Sequence, residues 1–207
     1  MKKKIKTTPD LSVSSVVHQE AIALGNEHFR RWQRNVIDKY KDKSEEEIKL
    51  DLQATAFPFA VLCENLVGDF NIGTIFRNSN CFNAKEIFYL GDKKFDKRAC
   101  QGSYHYNTIQ WISTLDDVIA LKERYTFVGA DNIPGAVPLD TYQWQPNSLI
   151  VFGSEGVGIT PTMQSLCKDL VYIEQFGSIR SLNVGTASGI FMNDFVQKLR
   201  VNNVSKV

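Results

Sequence analysis

The chain predicts an α/β fold with a largely parallel sheet. Short runs rich in apolar and β-branched residues recur at 59–63, 86–90, 126–130, 148–152 and 170–173. Between several of them, apolar residues return three and four positions apart, which is the helical period. Polar, glycine-containing stretches then follow the runs that end near 63, 152 and 173. Strands alternating with helices build a parallel sheet covered by helices on its faces.

Taken in order, residues 1–12 read as a tail with four lysines and Pro9. From about Ser14 to Tyr40 the spacing of Val17, Ala21, Leu24, His28, Arg31 and Trp32 predicts a helix. Ser44 followed by Glu47 is a capping-box start for a second helix toward Leu52, and Pro58 ends that pattern. Phe59–Cys63 reads as a buried strand. Asn71 to Asn83 reads as a helix with Ile72, Ile75, Phe76 and Phe82 inward and Asn71 as a candidate cap; Cys81 is expected in the core. Glu86–Leu90 is a strand, 91–108 a polar loop and Ile109–Ile112 a short strand. Thr114 caps a helix running to Tyr125. Strands at 126–130 and 148–152 follow, then a short helix opened by Thr160 with Pro161 in its first turn. Leu170–Ile173 is the last strand, and a final helix begins near Ser181.

The composition narrows the function classes. Thirteen Phe, seven Tyr and three Trp in 207 residues require a packed core. No apolar run reaches the ~18 residues of a membrane span. The start, Met1-Lys-Lys-Lys-Ile, lacks the apolar stretch of a signal peptide, so the cytoplasm is expected. Cys63, Cys81, Cys100 and Cys167 are scattered, which disfavours a disulfide framework or a zinc site. Net charge is only +1, but residues 1–43 carry 10 Lys and Arg against 5 Asp and Glu, and the remainder carries 14 against 18. A basic leader on a mildly acidic body can dock a polyanion locally.

Ligands of open α/β sheets bind at the carboxyl ends of strands. Three segments stand there. Asn71, Arg77, Asn78 and Asn80 form a polar cluster on a helix, and asparagine is unusual in helix interiors. Phe152-Gly-Ser-Glu-Gly-Val-Gly carries three glycines in six residues, allowing close backbone approach; it matches neither the dinucleotide fingerprint nor a nucleophile elbow. Ile173 to Asn183 leads into Gly185, Ala187, Ser188 and Gly189, a small-residue helix face suited to close packing.

In order and spacing these segments resemble the three signature motifs of the SpoU-type (TrmH-like) RNA 2'-O-ribose methyltransferases of the SPOUT superfamily. The match is Asn71-x5-Arg77, then 152–158, then Gln175-Phe-Gly-x3-Ser-Leu-Asn-Val, and it spans roughly residues 59–200. The resemblance implies a SPOUT fold, a mostly parallel sheet flanked by helices with a C-terminal trefoil knot. It divides the chain into a basic helical N-terminal extension, 1–58, and a methyltransferase domain, 59–207. It implies S-adenosyl-L-methionine held by Gly153, Ile173 and Leu182, with Asp131 and Asn132 bordering the pocket, no metal, and a homodimer with the site at its interface. Arg77 aligns with the arginine assigned to activate the ribose hydroxyl. A guanidinium is always protonated in water, so anchoring a phosphate and orienting the hydroxyl is the safer role than base. Asn71, Ser181 and Asn183 align with polar residues around it, and Glu155 is expected to brace the glycine loop by accepting backbone N–H bonds.

The implied substrate is RNA. The Ile179-Arg-Ser-Leu-Asn-Val variant resembles the tRNA branch, so tRNA is preferred to rRNA. Many relatives carry an RNA-binding domain before the catalytic one, whereas only about 58 residues stand there in this sequence. Arg30, Arg31 and Arg34 beside Trp32, and Lys94 and Arg98 near Tyr104, His105 and Tyr106, are the candidate RNA contacts. The competing readings are an RNA-binding protein that keeps the fold without catalysis, and a doubly wound nucleotide-binding enzyme. The latter lacks an early glycine fingerprint and an acidic ribose partner.

Overall fold

The computed structural model describes residues 16–17, 19–24, 35–64, 69–91, 95 and 97–204. The chain forms two compact units, Met1–Lys41 and Asp42–Val207. In the first, 16–17 and 19–24 are helical and Asp38–Tyr40 forms a 3-10 turn. Residues 35–37 are not helical, so the helix expected from Ser14 to Tyr40 stops short of them. Asn35, Val36 and Ile37 are all weak helix formers, and Ile37 is fully extended.

The second unit opens with helix α1, Glu45–Ala54. Ser44 and Glu47 exchange the reciprocal bonds of a capping box, as the spacing predicts. Ile48 is buried, and Asn83 Nδ2 donates to Leu52 O and Thr55 Oγ1 at 3.2 and 3.1 Å. Residues 42–58, which the sequence reading assigns to the extension, therefore belong to the same compact unit as the sheet.

Seven strands follow: β1 Phe57–Glu64, β2 Ala84–Leu90, β3 Ile109–Ile112, β4 Thr126–Ala130, β5 Val137–Pro138, β6 Ser148–Phe152 and β7 Asp169–Tyr172. All pair in parallel, in the order β3-β2-β1-β6-β4-β7-β5. Pro58 lies inside β1 rather than before it, where its carbonyl accepts from Asn147 N at 2.8 Å. The two-residue β5, pairing Val137 with Val171, is too short to leave a periodic signal in the sequence.

Alternate residues of β1 face opposite ways. Phe59, Val61 and Cys63 join one core with helix α2, Asp69–Cys81, and helix α5, Val184–Val204. Ala60 and Leu62 join the other, with helix α3, Leu115–Ala120, and helix α4, Pro161–Leu166. Thr114 and Thr160 cap α3 and α4 as expected, each accepting from the amide three residues on. The α-helix predicted to Tyr125 tightens to a 3-10 turn at Leu121–Glu123, and the last helix starts at Val184 instead of Ser181.

Helices α2 and α5 touch closely. A Cβ on Gly185 would lie 3.0 Å from Thr74, and one on Gly189 3.2 Å from Asn78. Asn78 Nδ2 donates to Gly185 O and Ser188 Oγ, both at 2.9 Å. The small residues of 185–189 thus serve the tight packing their types predict.

Candidate active site

The ends of β4, β6 and β7 build one cavity. The register pairs Cys63, Phe152 and Ala130 across β1, β6 and β4, so these neighbouring strands end level. Beyond them and β7, a cavity of about 870 Å³ is lined by the 152–158 turn, residues 130–133 and the 173–184 segment. That is the size range of a cofactor site.

The turn after β6 is shaped by glycine. Ser154 N donates to Gly158 O at 3.1 Å and Gly158 N to Ser154 O at 2.9 Å. Gly156 and Gly158 have φ of 86° and 74°, where a side chain is strained. A Cβ on Gly153 would lie 2.1 Å from the carbonyl carbon of Gly158. No side chain fits there, so the two ends of the turn close directly on each other.

Gly153, Asp131, Ile173 and Leu182, the predicted cofactor residues, all line the cavity, as do Asn132, Glu155, Ser181 and Asn183. Asn132 Nδ2 holds Arg180 O at 3.1 Å, anchoring the irregular 173–183 segment. Asn71 is not a helix cap. It sits inside α2, and its Oδ1 accepts from Asn183 Nδ2 at 2.9 Å. Asn183 Nδ2 also donates to Glu155 Oε1 at 2.9 Å, while its Oδ1 caps α5 at Thr186 N, 3.2 Å. One asparagine therefore ties all three motif segments together.

Among the described residues Glu155 accepts from no backbone amide. It is exposed and meets Asn183. The backbone beyond the turn is held instead by Asp131, whose Oδ2 accepts from Ile159 N at 2.8 Å, and by Glu64, which accepts from Thr160 N at 2.9 Å. Glu64 gave no sequence signal, because a glutamate ending a strand usually points into water.

Arg77 lies outside the cavity lining. It is exposed on α2 and makes no hydrogen bond or ion pair among the described residues. Its helix is covered nearby by Ala99, which a Cβ on Gly73 would meet at 2.4 Å, and by Asn107, which bonds Asn80 and Phe76 O, each at 2.8 Å. The exposed Arg98 belongs to that same covering segment, Lys97–Cys100, and Lys97 Nζ stands 4.9 Å over the Tyr104 ring. Arg30, Arg31, Arg34 and Lys94 lie outside the described residues. Cys81, expected in the core, is exposed at the end of α2. His105 is exposed, 3.6 Å from Glu45.

A cavity at the carboxyl ends of a parallel sheet is where open α/β proteins bind their ligands. Comparison with known proteins narrows this class. The SpoU rRNA Methylase family matches residues 58–193, and the chain belongs to that family. The Aquifex aeolicus TrmH/SpoU tRNA modifying enzyme shares the fold at a TM-score of 0.69 and 18% identity, over 77% of this chain and 84% of that one. The AdoMet complex of the SpoU methyltransferase AviRb from Streptomyces viridochromogenes does so at 0.65 and 22%, over 74% and 65%.

Curated relatives include the tRNA (guanosine(18)-2'-O)-methyltransferase of Saccharomyces cerevisiae, 37% identical over 36% of this chain. The 23S rRNA (guanosine-2'-O-)-methyltransferase RlmB of Vibrio cholerae is 27% identical over 70% of this chain. The matched parts cover 5% of the yeast enzyme and 61% of the Vibrio one.

Proposed function

We propose that this chain is an RNA 2'-O-ribose methyltransferase that uses S-adenosyl-L-methionine, acts as a homodimer in the cytoplasm and modifies structured RNA, tRNA in preference to rRNA. The observation that carries the reading is the Asn183 junction, which joins Asn71, Glu155 and the 173–183 segment beside a cavity at the strand ends. The names of the relatives, methyltransferases of tRNA and of 23S rRNA, support the reaction type and both RNA classes. The resemblance of residues 179–184 to the tRNA branch supports the preference.

The residues fit the cofactor. Gly153, Gly156 and Gly158 bring backbone to the cavity wall, Ile173 and Leu182 offer apolar surface, and Asp131 and Glu155 put negative charge near a cationic ligand. When bound, the cofactor supplies an electrophilic methyl on a sulfonium, so the transfer calls for no metal. Asn71, Ser181 and Asn183 orient the acceptor ribose. Arg77 pairs a backbone phosphate and holds the 2'-hydroxyl in line, and the hydroxyl proton passes to solvent water late in the transfer. An active site shared between two subunits accounts for Arg77 lying outside its own chain's cavity. A trefoil-knotted C-terminal part is in keeping with β6 entering between β1 and β4. The basic extension, with Arg30, Arg31 and Arg34, and the loop with Lys94 and Arg98 then serve as RNA contacts.

Nucleoside mass spectrometry on tRNA and rRNA treated with the protein and S-adenosyl-L-methionine tests this reading. A 2'-O-methylated nucleoside in tRNA is the expected product. Its absence from both RNA classes, with cofactor still bound, overturns catalysis in favour of an inactive RNA-binding protein.

A further inference from the structure

Strand β6 lies between β1 and β4; β1 ends in Glu64, and Asp131 directly follows β4. Because Cys63, Phe152 and Ala130 are level, the next residues are Glu64, Gly153 and Asp131. Gly153 opens the glycine turn. At the far end of that turn the two carboxylates grip consecutive amides. Ile159 N donates to Asp131 Oδ2 at 2.8 Å, and Thr160 N donates to Glu64 Oε2 at 2.9 Å. The Thr160 hydroxyl donates to Glu64 Oε1, so both oxygens of Glu64 are taken by one residue.

Glu64 is 4% exposed and does not line the cavity. Alternation along β1 turns it to the face where Ile159 and Met163 are packed. Among the described residues it has no ion-pair partner. A buried carboxylate without a cation is costly, and hydrogen bonds must satisfy it. Here those bonds all go to the point where the turn passes into α4, whose cap is Thr160 and whose first residue is Pro161. The turn thus runs from Gly153, packed against Gly158, to the capped start of α4.

We infer that Glu64 is a positioning residue of the cofactor pocket, forming with Asp131 a two-carboxylate clamp that holds the 153–159 turn in its binding shape. The inference rests on the methyl-donor reading of the cavity. Glu64 acts through Thr160 and touches neither cofactor nor RNA. Loosening the clamp lets the backbone cradle shift, which weakens binding of the cofactor and leaves the later chemistry intact.

Calorimetry with S-adenosylhomocysteine, together with initial rates against S-adenosyl-L-methionine, tests this on the full chain. Glu64→Gln keeps the volume but loses the acceptor for the Thr160 hydroxyl. It is expected to raise both the Kd and the cofactor KM about tenfold, with kcat within about threefold of the parent. Thr160→Val is expected to act in the same direction, and Thr160→Ser to restore the parent values. If Glu64→Gln does not fold, Thr160→Val carries the test. Unchanged affinity in the folded variants overturns the clamp, as does a fall in kcat at constant KM. If the parent chain binds neither ligand, the methyl-donor reading fails first and the inference with it.

Discussion

Asn183 Nδ2 lies 2.9 Å from Asn71 Oδ1, joining two positions far apart in the chain. The same amide reaches Glu155, while the side-chain oxygen caps α5. Asn183→Asp separates these tasks. Aspartate caps a helix as well as asparagine does, but it has no N–H for Asn71 and sets a second negative charge against Glu155. Methyl transfer is expected to fall about 10- to 100-fold, the scale of a hydrogen bond to a charged group. The Tm should stay within about 4 °C of the parent. Steady-state kinetics beside a thermal melt checks both.

Gly153→Ala is expected to be far more damaging than its one methyl implies. The new Cβ lands 2.1 Å from Gly158 carbonyl carbon and 2.3 Å from Ile159 N, both backbone atoms that cannot rotate away. The turn must move, at a cost of about 1–3 kcal/mol. Loss of S-adenosylhomocysteine binding by calorimetry, with a lowered Tm, is the expected result. Gly177→Ala serves as control, because nothing lies within 4 Å of its Cβ position.

Arg77→Ala is expected to abolish methyl transfer while leaving cofactor binding and Tm unaltered. The side chain is exposed and stands apart from the cavity lining. Single-turnover assays with RNA, set beside calorimetry with the cofactor product, separate the two effects. Full activity in the variant removes Arg77 from the mechanism.

The four thiols should differ sharply in reactivity. Burial pushes the Cys63 thiol far up, and burial together with the Glu64 charge pushes Cys167 up to about 12. Cys100 is fully buried, whereas Cys81 is exposed. Thiolate is the reactive form. At pH 8, a maleimide should label Cys81 alone in the folded protein and all four after denaturation, as peptide mass mapping can count.

Local rules carried most of the elements. Val, Ile and Phe runs marked the long strands, and Ser44, Thr114 and Thr160 marked helix starts because capping is a contact within four residues. The site was legible only where family resemblance linked distant segments. Nothing local tells that Asn71 meets Asn183 or that Asn132 holds Arg180. Nor does anything local tell that Glu64 is buried against Thr160. Burial is decided by which strands flank β6, and pairing order has no signature in a window of residues. Cys81 shows the reverse error, since its apolar type says nothing of its place at a helix end.

The placement of β6 also governs how the chain can fold. Among the described residues, β1 pairs with β2 and β6, and β4 with β6 and β7. Until residues 148–152 are available, β1, β2 and β3 form an isolated patch and β4 has no neighbour. Such pairings across long stretches of sequence are slow to form. A chain emerging from the ribosome therefore has no cofactor cradle until nearly its whole length has been made. Premature products then lack the cavity, and if the proposed methyl donor binds there, ligand added during refolding should capture only the finished sheet.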